Sequence, residues 1–242
     1  MAEAYCGPAP EPQALLGAWN VDAVALGLCA ALWLAHARAG DRQARVPLAL
    51  GTATLLILFL SPLCALTVAL FSARAAHHVV LIAVAAPLLA MAFPERSGAG
   101  GRVPLAWLVG IHAAVLWFWH APQVYAVGIV GPLAYWTMQA SLLGSAFFLW
   151  RRILSPETST GAALLALLVT VVQMGMLGAL LTFAREPLYE PHLSTTLAYG
   201  LTPLADQQLA GLIMWVPAAL PYLVAALLLL AARLDRMART VR

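Results

Sequence analysis

The chain alternates between long apolar runs and short segments that hold most of its charge. Seven such runs are visible, at roughly 19–37, 46–61, 71–93, 103–120, 132–150, 161–184 and 207–232. Most approach the roughly 20 residues that a bilayer-crossing helix needs. An open sheet leaves backbone groups unpaired in lipid, so all seven read as helices. The second run is short and stops at Ser61-Pro62, where proline disfavours continuing the helix. The pattern predicts an all-α, polytopic helix bundle with seven transmembrane helices. Residues 1–18 form a short N-terminal segment, 19–232 the transmembrane domain and 233–242 a basic tail.

Composition agrees with this pattern. The chain is 63% hydrophobic and only 10% charged, against about 25% charged in a soluble domain. All 13 basic residues are arginine, and their placement predicts orientation. With the N-terminus outside, Arg38, Arg42, Arg45, Arg96, Arg102, Arg151, Arg152, Arg233, Arg236, Arg239 and Arg242 fall on the inner side. Only Arg74 and Arg185 fall on the outer side. The positive-inside rule then gives an extracytoplasmic N-terminus and a cytoplasmic C-terminus in the bacterial cytoplasmic membrane. The sequence pI near 9.0 reflects these loops. No basic face with interleaved aromatics suggests a nucleic-acid partner. The opening MAEAYCGPAPEPQ lacks a basic region followed by an apolar core, so no cleavable signal peptide is expected. Cys6, Cys29 and Cys64 lie far apart without zinc-site spacing, and Cys29 reads as a small core residue.

Candidate chemistry sits on the third run, FSARAAHHVVLIAVAAPLLAMAFP, whose first turns carry Arg74, His77 and His78. Ionisable groups inside a span are costly and mark a functional site by default. In the predicted topology His78 lies about 10 Å below the outer end of its helix. The fourth run ends outside at His120, the fifth carries Met138 early, and the seventh starts with Asp206, Gln207 and Gln208 before Met214. These eight residues, His77 included, are expected to share the outer half of one bundle. His112 lies two turns deeper than His120 and turned away from it, so it reads as a hydrogen-bonding residue.

Histidine and methionine at that depth suit Cu(I), a soft ion. Bis-histidine haem is the competing ligand, though no CxxCH allows covalent attachment. A purely structural reading also stands: methionine fills core gaps, and Asp206 reads as an N-cap for its own helix. No nucleophile–base pair or phosphate loop is present, so no enzymatic activity is expected.

Five segments in order resemble one family. They are WNVD (Trp19 to Asp22), SPLCAL (Ser61 to Leu66), FSARAAHHVVLIAVAAPLL, WHAPQVY (Trp119 to Tyr125) and DQQLAGLIMWVP (Asp206 to Pro217). They resemble the bacterial seven-span CtaG proteins, assembly factors of caa(3)-type cytochrome c oxidase. The resemblance implies a role in oxidase maturation, with copper supplied to the copper-containing subunits. His78, His120, Asp206 and Gln207 fall on matching positions. Arg74 stands where the pattern has a histidine, His77 where it has glutamine and Cys64 where it has aspartate. Tyr135, Met138 and Gln139 stand where members often show His, Glu and His. The expectation is Cu(I) bound by residues drawn from His77, His78, His120, Met138 and Met214, with Arg74, Asp206, Gln207 and Gln208 around them. Arginine cannot ligate a metal, so an Arg74–Asp206 pair replacing the metal is the alternative.

Overall fold

A computed structural model of the chain describes residues 4–39, 44–95 and 103–240. Arg42, Arg96, Arg102 and Arg242 of the inner set lie outside the described residues. The fold is all-α, and among the described residues the only β feature is an isolated bridge between Ala4 and Val130. The helices are α1 (Ala23–Ala39), α2 (Arg45–Leu60), α3 (Pro62–Ala69), α4 (Phe71–Val80), α5 (Ala86–Ala92), α6 (Leu105–His120), α7 (Pro122–Gly128), α8 (Pro132–Ile153), α9 (Thr160–Thr182), α10 (Pro203–Trp215) and α11 (Ala219–Thr240).

Every predicted apolar run is helical, but the segmentation differs from seven simple spans. Three helical stretches are long and apolar enough to cross a membrane: Phe71–Ala92, Thr160–Thr182 and Pro203–Arg239. The count reaches five if two bent pairs are each one span. One pair is α2–α3, bent by 51° at Ser61-Pro62, and the other is α6–α7, bent by 84° at Ala121-Pro122. Both bends follow from proline, which pushes the preceding residue out of helical geometry. Ser61 and Ala121 are extended there, with ψ of 169° and 125°.

The stretch Phe71–Ala92 is the hub, 61% buried against 44% and 17% for the other two. A π-turn at Leu81–Ala85 joins α4 to α5. Ala86 N–H bonds Leu81 O, one residue beyond the α-helical partner, and Pro87 has no N–H to offer. The freed carbonyl of Ile82 accepts instead from Trp150 Nε1 at 2.9 Å. Around this hub α4 packs on α3 and α10, α5 on α2 and α8, and α9 holds α6, α10 and α11. The α9–α10 approach is close because Gly178 and Gly211 face each other: a Cβ on Gly211 would meet Gly178 O at 2.5 Å. Outward faces carry exposed apolar side chains such as Trp107, Leu165, Leu168 and Leu228. A bundle with that surface is suited to lipid.

The two ends of the bundle differ. At one end Arg152 pairs with Glu95 at 3.0 Å and Arg151 donates to Pro94 O. The other end gathers the starts of α4 and α10, the end of α6 and the N-terminal segment. A disulfide joins Cys6 of that segment to Cys64 of α3, a pairing the spacing did not reveal. The segment between α9 and α10 folds back over this end. Gln207 accepts from Leu188 N at 2.7 Å and donates to Glu186 O, Gln208 donates to Ala184 O, and Thr195 donates to Ala69 O at 2.6 Å.

Candidate functional site

Helix α4 has no capping side chain of its own at Leu70. Its first N–H groups are satisfied from α10. Asp206, fully buried, accepts from Phe71 N at 2.6 Å and Ser72 N at 3.2 Å, and also from the Ser72 hydroxyl. A carboxylate is favoured there by the helix dipole as well as by the bonds. Two expectations are corrected. Asp206 does not cap its own helix, because Thr202 does that through Ala205 N at 3.1 Å. Nor is it paired with Arg74: no salt bridge between them is formed, and Asp206 spends its oxygens on the α4 terminus.

Arg74, His77 and His78 are each at most 2% exposed. The Arg74 guanidinium lies over the Tyr135 ring, 5.5 Å from its centroid, a cation–π contact. Its Nε and Nη1 have no hydrogen-bond partner, and neither does either nitrogen of His77. The His77 ring packs on Phe59 at 5.2 Å between centroids. His78 sits between His77, at 5.8 Å, and His120, at 5.9 Å. Its Nε2 lies 3.4 Å from Gln139 Nε2, while its Nδ1 is unpartnered. His120 Nδ1 lies 2.7 Å from Leu116 O and must carry the proton there, so Nε2 holds the free lone pair. His112 is kept apart by a 3.0 Å contact with Ser145 Oγ, in keeping with its hydrogen-bonding reading.

Met138 is buried on the neighbouring face of α8, its sulfur against Gly128 beside the Trp119 ring. Met214 is buried on α10. Since α4 and α10 start together at Asp206 and pack side by side, eight residues bring Met214 to about the depth of His78. Among the described residues no group of three or more His, Cys, Asp or Glu side chains lies close enough to hold a metal ion. The layer thus offers a histidine pair with a third imidazole and a thioether in adjacent positions, in place of a closed polyhedron. Gln207 and Gln208 are not in it; they hold the covering segment.

A family model described as cytochrome c oxidase caa3 assembly factor (Caa3_CtaG) matches residues 27–236. The chain belongs to that family. No curated protein and no solved structure matches it. For a CtaG-family chain, the positions that depart from the expected pattern are informative in space. Arg74 touches Tyr135, the Tyr135 hydroxyl is 3.8 Å from Cys64 Sγ, and Gln139 touches His78.

Sequence reasoning missed two participants. His192 meets the Tyr125 hydroxyl at 2.6 Å, and the Tyr189 hydroxyl donates to His120 O at 2.7 Å. Both come from the covering segment. Burial first, then the nearby Arg74 charge, lowers the His192 pKa from 6.5 to about 4, so it sits neutral and can accept from Tyr125. Burial likewise raises the Tyr189 hydroxyl above its ordinary range. The single signal in sequence was the pair of ring residues in a Pro-rich connection, LYEPH.

Proposed function

We propose that this chain assists maturation of cytochrome c oxidase in the bacterial cytoplasmic membrane by handling Cu(I) as cargo at the outer face, without catalysing a reaction. The observation that carries the reading is the His78–His120 pair. Two imidazoles sharing one ion through bonds of about 2.0–2.1 Å have ring centroids roughly 6 Å apart, and these stand 5.9 Å apart. Cu(I) accepts two soft or borderline ligands in a dry site, and Met138 or Met214 supplies a third. Seven spans with the N-terminus outside is the accompanying topology. The Cys6–Cys64 disulfide supports it, because disulfides persist on the oxidising side of that membrane. The partner is the copper-containing part of the oxidase.

A metal-free scaffold is the second reading, favoured by the Arg74 guanidinium seated in the same layer. Metal and haem analysis of the purified protein separates these, with copper, a Soret band or neither as outcomes. Under the copper reading, His78→Ala and His120→Ala each lose Cu(I) in a chelator competition while His112→Ala keeps it. Equal retention in all three would overturn the assignment. In cells, deletion lowers copper-replete oxidase with subunit transcription unchanged.

A further inference from the structure

The mechanism above leaves the Cys6–Cys64 disulfide unused, and its surroundings are those of an exchange site. Cys64 is fully buried and is the third residue of α3, whose N-terminal dipole favours negative charge on its sulfur. Two further donors face that sulfur. Asn20 Nδ2 lies 3.7 Å from it, and the Tyr135 hydroxyl lies 3.8 Å from it and 3.7 Å from Cys6 Sγ. Cys6 is only half-buried. It lines an open cavity of about 680 Å³ together with Gly7, Pro8, Trp19, Asn20 and Ala65. Cys6 thus borders the opening from outside, and Cys64 is placed to leave as a stabilised thiolate. The neighbouring Tyr5 holds the Cys6 side in place, its N–H bonding Ile129 O at 3.1 Å and its ring stacked on Tyr135 at 4.3 Å, so the pair is presented in a fixed frame.

We propose that Cys6–Cys64 is a thiol–disulfide exchange site whose reaction partner is a dithiol carried on an extracytoplasmic protein segment. A thiolate of the partner attacks Cys6 Sγ. A partner–Cys6 disulfide forms, the Cys6–Cys64 bond breaks, and Cys64 leaves as a thiolate held by Asn20, Tyr135 and the α3 terminus. The partner's second thiol then loses its proton and attacks the partner's own sulfur, and Cys6 leaves. The partner ends as a disulfide, and two electrons rest on Cys6 and Cys64, which take up two protons. A dithiol is required because a single thiol bound to Cys6 is expelled again by the neighbouring Cys64; a resolving thiol on the same segment acts at high effective concentration. The inference does not depend on copper.

The test uses the full-length protein in detergent and a synthetic peptide bearing two cysteines, with reduced glutathione as the single-thiol comparison. Maleimide labelling after denaturation counts free thiols. The oxidised protein shows Cys29 alone and the reduced protein shows all three. The peptide is expected to reduce the native pair at least about tenfold faster than glutathione at equal thiol concentration, with oxidised peptide recovered by mass. Asn20→Ala is expected to slow that reaction roughly five- to tenfold, the weight of one hydrogen bond to the leaving thiolate. Cys64→Ala should hold a single-cysteine version of the peptide, supplied as its mixed disulfide with an aromatic thiol that departs as Cys6 attacks, as a stable adduct, and Cys6→Ala should not. A pair that resists the peptide until the protein is denatured would overturn the proposal. So would equal rates in wild type and Asn20→Ala, and these kinetics decide even if a cysteine variant fails to fold.

Discussion

Two halves of one buried layer, both built on α4, handle polarity in opposite ways. On one half Arg74 faces Tyr135, and Tyr135 faces the disulfide sulfurs, with Phe59 and Trp136 packed alongside at 6.4 Å and 5.8 Å from the tyrosine ring. On the other half His78 and His120 stand ring to ring with Gln139 beside them. The first half packs its charge against a ring face and leaves Arg74 Nε and Nη1 without hydrogen-bond partners. The second carries no charge and keeps His78 Nδ1 as an unpartnered ligand nitrogen. The three positions of the first half that differ from the CtaG pattern, Cys64, Arg74 and Tyr135, form one chain of contacts. The Tyr135 π face offsets part of the cost of burying the guanidinium, whose charge also weakens the hold on any cation nearby. The histidine half also departs from the pattern, at His77, Met138 and Gln139, but keeps His78 and His120 on matching positions.

The sharpest way to break the comparison is to remove what both halves hang from. Asp206→Ala leaves Phe71 N, Ser72 N and the Ser72 hydroxyl buried without an acceptor. The expected cost is about 3–5 kcal/mol, seen as a lower Tm in detergent, with loss of any bound copper. An unchanged Tm would mean that the α4 start is not anchored from α10.

The second prediction separates the halves. Arg74→His removes the cation–π contact, worth about 0.5–2 kcal/mol of stability. It also removes a unit charge that, at about 6 Å and an effective dielectric near 20, opposes a nearby cation by about 3 kcal/mol. Cu(I) affinity measured by chelator competition should rise by up to about a hundredfold. A Tm loss with no gain in copper affinity would favour the metal-free scaffold.

Much of this layer was legible in the sequence. Arg74, His77 and His78 interrupt an apolar run, and a buried layer is the way a membrane helix accommodates them. The break at Ser61 was signalled by Pro62, whereas the bend at Ala121 and the short helices α3 and α7 beyond the two breaks were not. Asp206 shows where local reading stops. From sequence it looked like a cap for the nearest helix, but its partners lie 135 and 134 residues away. The disulfide spans 58 residues, and no periodicity connects a Pro-rich coil to a helix start. The segment carrying Tyr189 and His192 has no helical pattern, so nothing marked it as folding inward.

Packing beside the histidine half gives a smaller effect. A Cβ on Gly128 would lie 2.9 Å from Trp119 Cζ3 and 3.3 Å from Met138 Sδ. Gly128→Ala should therefore displace the Trp119 ring and strain its 2.8 Å bond to Ser141 Oγ, at about 1–2 kcal/mol. Indole fluorescence and Tm would register it. If Met138 is a ligand, copper affinity falls too; if it is only packing, affinity holds.

The smallest expected effect tests the cover over the layer. His192 is buried with its pKa lowered from 6.5 to about 4, chiefly by burial and next by Arg74, and it meets the Tyr125 hydroxyl. A histidine whose folded pKa is depressed favours the folded cover above its unfolded pKa. That contribution is lost as pH falls from 6.5 toward 4, because the exposed form takes up a proton that the covered form refuses. Protonation also ends the ability of Nε2 to accept from Tyr125. Between pH 7.5 and pH 6 the open population of the segment should grow roughly fourfold. Hydrogen exchange at the amides of Leu188, His192 and Leu193, all bonded in the covered state, reads this directly once intrinsic exchange rates are divided out. His192→Gln, which keeps an acceptor but does not titrate, should flatten the pH dependence. The same dependence in both proteins would assign it to another group and leave the cover without a role for His192.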